Sequence, residues 1–261
     1  MGEPVGATQR FPTPEDSMSQ DNQRGTLYGL GVGPGDPGLL TLKAVEVLKK
    51  VPVLFAAGSS KNEYSLAFNV VAAHLPATVE VRKLDFPMTH DQRSLDAAWR
   101  DNALAVKEVL DSGRDAAFIT IGDPLTYSTY GYLLQTLKAI DPTAKVETVP
   151  GVTAYQAAAA RLNLPLVESR ESLMVVSGVS DLNDIPALAA CGDNLVIMKT
   201  YKNFDQIIDK LEELPVRRRT YCVSQCGLPD ERVVMDATTL KGQKMPYLSL
   251  ILVKGPAEAK E

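Results

Sequence analysis

GVGPGDPG, residues 31–38, stands between an apolar run that reads as a strand, LYGLGV, and a run that reads as a helix, LLTLKAVEVLKK. Gly33, Gly35 and Gly38 make the spacing G-x-G-x-x-G, which in a strand–loop–helix unit raises the question of a dinucleotide. A dinucleotide site also needs an acid at the end of the second strand, about 20 residues on, to hold a ribose hydroxyl. Here the second strand reads VPVLFAAGSS and ends without one. Pro34 and Pro37 remove two backbone N–H groups from the loop that would approach a pyrophosphate. A Walker A reading fails as well, because no Gly-Lys-Ser/Thr follows. Local chemistry accounts for much of the loop. Pro34-Gly35 suits the centre of a type II turn, and Thr41 suits the cap of the helix that follows. Asp36 is open between a helix cap and an active-site group.

Outward from this unit the chain keeps alternating. Strands are expected at 26–32, 51–56, 78–84, 115–121 and 145–149, and helices at 40–50, 63–74, 95–111 and 126–140. Within the first helix, Leu42, Val45 and Leu48 recur at helical spacing with charges opposite. Such alternation implies an α/β fold with a mostly parallel sheet covered on both faces. An alanine-rich helix at 152–162 then marks a change. Strands follow at closer spacing, at 172–177, 194–198, 219–225, 231–236 and 246–253, with a helix at 203–214. Close spacing suits antiparallel pairing. The expected organisation is a disordered tail to 23, an N-terminal α/β domain over 24–149, a smaller mixed or antiparallel α+β C-terminal domain over 150–256, and a tail at 257–261. The cleft between the domains is the default ligand site.

Composition limits the function classes. The chain has 261 residues, 45% hydrophobic, enough for real cores in both parts. A net charge of −5 argues against a general nucleic-acid binder, which needs a basic face. No apolar run approaches a membrane span, and the N-terminus lacks a secretory pattern. Three cysteines are too few for a disulfide framework, and Cys222 and Cys226 have no metal-ligating neighbours in sequence. A cytoplasmic protein is expected, with no metal, membrane or nucleic-acid partner. Arg217, Arg218 and Arg219 read as a solvated strand end.

Two further stretches share the turn chemistry of 31–38: FITIGDPLTYSTYGYL at 118–133 and VETVPGVTAYQAAAA at 146–160. Each is strand, then Gly/Pro turn, then helix, so all three turns fall at carboxyl ends of strands in one sheet, where α/β proteins place ligands. In this order GPGD (33–36), GDP (122–124) and VPGVTA (149–154) resemble the tetrapyrrole methylase family, class III methyltransferases that use S-adenosyl-L-methionine. The resemblance runs from about Thr26 to Lys254. GLGVGPGDPGLLTLKA, KLDFPMTHD with Trp99 downstream, and IGDPLTYSTYGYL look most like the branch that methylates C20 of precorrin-2 or cobalt-factor II in cobalamin biosynthesis.

The resemblance implies that the methyl donor, and its product S-adenosyl-L-homocysteine, sit in the interdomain cleft held largely by backbone groups. Carried over by position, the binding residues are Pro34 in the first loop and Ile121, Gly122, Asp123, Thr126 and Tyr127 in the second, with Thr126 at the start of the following helix. Thr153 and Ala154 come from the third, then Met198, Gly227 and Pro246, the last opening the final strand. A methyl donor without phosphate needs no nest of N–H donors. The Asp123 carboxylate suits its hydroxyl or ammonium groups, and Met198 and Ala154 suit adenine. The resemblance also implies a homodimer and a small-molecule tetrapyrrole partner.

No catalytic base is named. Asp85, Tyr127 and His90 are candidates by chemistry and by adjacency to the motifs. Related uroporphyrinogen methylases commonly carry an acid after the second strand, where this chain has FAAGSSKN, so their proposed base is not transferred. Lys61, Arg93, Arg161, Arg170, Lys199 and Lys202 fall near expected cleft-edge loops and form a candidate group for substrate carboxylates. A methylase of the same fold acting at another corrin position, on diphthamide or on ribosomal RNA, and a non-catalytic cofactor-binding protein, remain alternatives at this point.

Overall fold

The computed structural model describes residues 24–58, 63–179 and 181–255. The expected tails at 1–23 and 257–261 lie outside the described residues, as does Lys61.

The first half builds a five-stranded, all-parallel sheet from β1 (Thr26–Gly31), β2 (Val53–Gly58), β3 (Glu80–Asp85), β4 (Ala116–Thr120) and β5 (Lys145–Val149), in the order β3-β2-β4-β1-β5. Its central strands are near-continuous apolar runs because helices cover both faces. On one face, α1 (Leu42–Leu48) and α2 (Glu63–Val71) enclose Leu30, Val47, Leu54, Val70 and Ile119. On the other, α3 (Gln92–Asp111) and α4 (Tyr130–Ile140) enclose Leu27, Phe55, Val106, Phe118 and Leu137. The strand order reverses direction at β1 and β4, so their carboxyl ends flank the crevice where such sheets bind ligands.

After β5, α5 (Ala154–Leu162) packs its alanines against Val196, Val223 and Leu250 of a second sheet. That sheet contains β6 (Leu173–Ser177), β7 (Asn194–Met198), β8 (Arg219–Ser224), β9 (Arg232–Val234) and β10 (Ser249–Lys254), in the order β6-β7-β10-β8-β9. Only β6 and β7 are parallel and the other neighbours are antiparallel, so the sheet is mixed, as the close strand spacing implied. Its opposite face carries α6 (Ile185–Ala190) and α7 (Phe204–Glu212), with Phe204, Ile207, Ile208 and Leu211 buried as one stripe.

Several boundaries differ from expectation. The helix expected from 126 begins at Tyr130, leaving 126–129 as a loop beside the crevice. Tyr127 has φ 52°, which a helix cannot continue through. Thr126 therefore does not open the helix. The helix expected from 95 begins at Gln92, because Asp91 accepts from the Ser94 amide and caps it there. The last strand begins at Ser249, so Pro246 lies in the preceding loop, where its carbonyl accepts a hydrogen bond from Ser249 Oγ. Helix α6 was not foreseen. Arg218 of the arginine triplet donates to the Ala189, Gly192 and Asp193 carbonyls at and beyond its end, which satisfies orphan acceptors there. Among the described residues, no helix is long and apolar enough to cross a membrane.

Candidate functional site

The three Gly/Pro turns meet at one place. Gly33 and Gly122 form an isolated antiparallel bridge, with amide-to-carbonyl distances of 3.2 and 2.7 Å. The VPG turn closes against Gly122 and against Gly31, the last residue of β1. A Cβ on Gly151 would lie 2.2 Å from the Gly122 carbonyl oxygen and 2.7 Å from Gly31 Cα. Three backbones thus touch where side chains would stand, and glycine permits this approach. Asp123 braces the junction. Its Oδ1 accepts from the Leu125 amide at 2.9 Å and from Thr126 Oγ1 at 3.1 Å, while Oδ2 accepts from the Gly151 amide at 3.1 Å. Thr153 caps α5 in a reciprocal pair with Gln156.

The first turn is not the expected type II turn. Gly35 has φ 153°, far from the roughly +80° of that turn. Side-chain-bearing residues rarely adopt that φ, and a Cβ there would also meet the Leu228 side chain of the second half at 2.7 Å. Asp36 accepts from the Gly38 amide at 2.8 Å and caps the short 3-10 turn Pro37–Leu39. Its other oxygen lies 3.7 Å from Arg161, which also pairs with Glu231 at 3.1 Å. Glu231 in turn accepts from the Gly227 amide at 2.6 Å. Asp36 is therefore a helix cap tied to the second half, and Arg161 is ion-paired behind the junction rather than facing the crevice.

The junction forms the floor of a cavity of about 610 Å³ between the two sheets. This is within the roughly 300–1,000 Å³ of small-molecule sites. Pro34, Ile121, Gly122, Asp123, Thr126, Tyr127, Thr153, Ala154 and Met198 all line it. Gly227 instead lines a hollow behind the first turn, with Asp36 and Arg161. Pro246 is not among the lining residues, although Tyr247, Leu248, Ser249 and Leu250 are.

Of the base candidates, Tyr127 lines the cavity, whereas Asp85 and His90 are exposed residues outside the lining. Tyr127 Oη donates to the Val175 carbonyl of β6 at 2.8 Å, a hydrogen bond spanning the crevice. Of the described cationic candidates, Lys199 lines the cavity. Arg93, Arg170 and Lys202 do not, and Lys202 sits 5.8 Å from the Tyr201 ring centre. Lys199 and Tyr127 both have left-handed backbone, at φ 57° and 52°. Non-glycine residues held there cost of order 1–3 kcal/mol each and cluster at functional sites.

Cys226 also reaches the cavity. Burial, reinforced by the nearby Glu231 carboxylate, pushes its thiol up to about 12, so it is not a nucleophile at neutral pH. Sequence reasoning missed the outer wall of the cavity, where Trp99 of α3 stacks on Tyr132 of α4, with ring centres 4.4 Å apart and planes 5° from parallel. The available signal was Tyr132 itself, an aromatic lying off the Tyr130, Leu133 and Leu137 core stripe of its helix.

The lining fits a particular chemistry. Its charged side chains among the described residues are Asp123 and Lys199, and the rest is apolar surface, hydroxyls, the Gln92 amide, the Cys226 thiol and backbone. Such a wall suits a ligand with an adenine, hydroxyls and a positive centre better than one with phosphates, which need several cations or an open amide nest.

The model of the Tetrapyrrole (Corrin/Porphyrin) Methylases matches residues 26–241. A Salmonella typhimurium protein named cobalt-precorrin-2 C(20)-methyltransferase is 34% identical over 230 residues, covering 88% of this chain and 96% of its own. A Methanocaldococcus jannaschii protein named probable cobalt-precorrin-2 C(20)-methyltransferase is 36% identical over 234 residues, covering 87% and 95%. Among solved structures, the uroporphyrin-III C-methyl transferase of Thermus thermophilus in complex with S-adenyl homocysteine superposes with a TM-score of 0.62. It is 26% identical, over 87% of this chain and 97% of that one. The chain belongs to the tetrapyrrole methylase family.

Proposed function

We propose that this chain is a methyltransferase of cobalamin biosynthesis that carries a methyl group from S-adenosyl-L-methionine to C20 of precorrin-2 or of cobalt-factor II. The observation that carries the reading is the convergence of the GPGD, GDP and VPG turns on the floor of one cavity. Two relatives named for C20 methylation, alike over nearly their whole length, support the position of attack. The complex of the Thermus thermophilus relative supports the donor.

Pro34, Ile121, Gly122, Thr153, Ala154 and Met198 would hold the donor. Ala154 and Met198 supply apolar contact for adenine, and Asp123 keeps the loops in register while presenting a negative charge to the cavity. When bound, the donor supplies a methyl group on a sulfonium. The protein's contribution is alignment and exclusion of water. Holding two reactants in line contributes about 7–11 kcal/mol of the barrier reduction. A largely apolar wall favours a step that disperses charge. Lys199, at the carboxyl end of β7, is the lining cation among the described residues and would meet a substrate carboxylate. The reading also implies a cytoplasmic homodimer.

The test is methyl transfer assayed with both precorrin-2 and cobalt-factor II, with the methyl position read by NMR, alongside calorimetric titration with S-adenosyl-L-homocysteine. Transfer to C20 of either form is expected. Binding of S-adenosyl-L-homocysteine without transfer to either form would refute the substrate assignment. No binding at millimolar ligand would refute the enzyme reading altogether.

A further inference from the structure

We infer that the stacked Trp99–Tyr132 pair is the platform on which one face of the tetrapyrrole rests, and that it sets substrate recognition independently of the methyl donor. This rests on the tetrapyrrole reading above.

The pair is built outward from the core. Phe118 and Tyr130 are fully buried and stack at 5.9 Å, and Phe86 meets Phe118 edge-on at 6.1 Å. Trp99 packs against this cluster from α3. Tyr132 then lies parallel on Trp99 and remains 47% exposed. Burial of α4 does not require it, because Tyr130, Leu133 and Leu137 already supply the buried stripe. Met88 and Tyr127 are 61% and 51% exposed, and they line the same cavity as Trp99, Tyr132 and the three Gly/Pro turns.

An apolar surface of this kind costs solubility unless something covers it. A flat, conjugated macrocycle is the occupant whose chemistry matches. It offers a π face of its own, and offset stacking on an aromatic ring is favoured beyond simple area burial. A rigid two-ring stack backed by the core loses little conformational freedom on binding. Continuity of the wall with the loop floor would put both reactants in one space, as transfer between them demands.

Trp99 is the chain's single tryptophan, so its emission reports on this wall alone. Titration of the full-length protein with cobalt-factor II should quench that emission saturably. Quenching by a coloured macrocycle acts over a distance, so contact is read from variants. Tyr132→Ala and Tyr132→Leu should each weaken cobalt-factor II binding and raise its KM five- to tenfold or more. Tyr132→Phe should restore both, and affinity for S-adenosyl-L-homocysteine should be unchanged throughout. If Tyr132→Ala and Tyr132→Leu bind cobalt-factor II like the parent in an enzyme that still turns over, the platform is refuted while the function stands. If those variants lose S-adenosyl-L-homocysteine affinity in parallel, or only change the oligomeric state in sedimentation, the pair is structural and the inference falls. If the parent binds neither cobalt-factor II nor precorrin-2 and transfers a methyl group to neither, both readings fall together.

Discussion

Asp36 illustrates how far one side chain can be assigned by geometry. Its carboxylate caps a 3-10 turn, and its ion pair with Arg161 is long and half exposed. Exposed pairs contribute little, so the cap dominates. Asparagine caps as well as aspartate, whereas alanine costs about 1 kcal/mol. Urea unfolding should therefore place Asp36→Asn close to the parent and Asp36→Ala about 1 kcal/mol lower, with methyl transfer by Asp36→Asn retained. An inactive but stable Asp36→Asn protein would return Asp36 to the active site. The cysteines give a second residue-scale test. Cys191 is exposed, while Cys222 and Cys226 are buried with thiols pushed up to about 12 by desolvation. A thiol reagent at pH 8 should label one cysteine per native chain and all three after unfolding. Rapid native labelling of a second would mean that the floor near Cys226 opens to solvent.

At the scale of elements, the loops matter more than the helices that follow them. Gly151→Ala places a methyl group 2.2 Å from the Gly122 carbonyl. Overpacking of this kind costs about 1–3 kcal/mol, and here backbone has to move. The variant should lose stability in urea and lose S-adenosyl-L-homocysteine affinity together, because the same displacement reaches the GDP turn and the end of β1 that leads into the GPGD turn. Stability lost with affinity intact would show that the junction is not the donor site. The opposite end of the first sheet titrates. Asp141, near-buried after α4, is held far below the usual carboxylate range, chiefly by its hydrogen bond from Arg24 and then by Thr143. A depressed folded pKa means that this stabilisation is complete above the unfolded value near 3.8 and is lost as pH falls below it. Asp141→Asn should be less stable than the parent at pH 7, and the difference should shrink as both are titrated from pH 4 towards 2. A constant gap would mean that Asp141 does not ionise differently on folding.

The sequence made some of this legible and hid the rest for physical reasons. Strand–helix alternation and the period of the apolar residues specify the first sheet, because parallel strands covered on both faces must be apolar throughout. Three Gly/Pro turns at strand ends mark the cavity floor in the sequence, because backbone contact excludes side chains there. Residues 126–129 pattern as helix in the sequence, because a left-handed Tyr127 carries no compositional mark. The sequence puts Arg161 near a cleft-edge loop and hides its ion pairs, because its partners, Asp36 and Glu231, are 125 and 70 residues away in the chain and only the fold brings them together. The Trp99–Tyr132 stack was hidden for the same reason: each ring sits on a different helix.

On the scale of the whole molecule, the cavity wall draws on both sheets: Ile119, Thr120 and Ile121 at the end of β4, and Met198, Val223 and Leu250 from the second sheet. The halves already touch through Tyr127 and Val175, through Gly35 and Leu228, and through Asp36, Arg161 and Glu231. A ligand that fills the cavity adds contacts to each half at once. S-adenosyl-L-homocysteine at 100 times its Kd should stabilise the native state by about 2.7 kcal/mol, which for a chain of this size corresponds to a rise of roughly 5–10 °C in Tm. Hydrogen exchange followed by peptide then distinguishes the cases. Protection should increase in peptides covering 119–123 and also in those covering 196–199 and 223–227. A ligand held by the first half alone would slow exchange only in the former set. That result would move the donor off the shared floor and onto the GPGD and GDP turns by themselves.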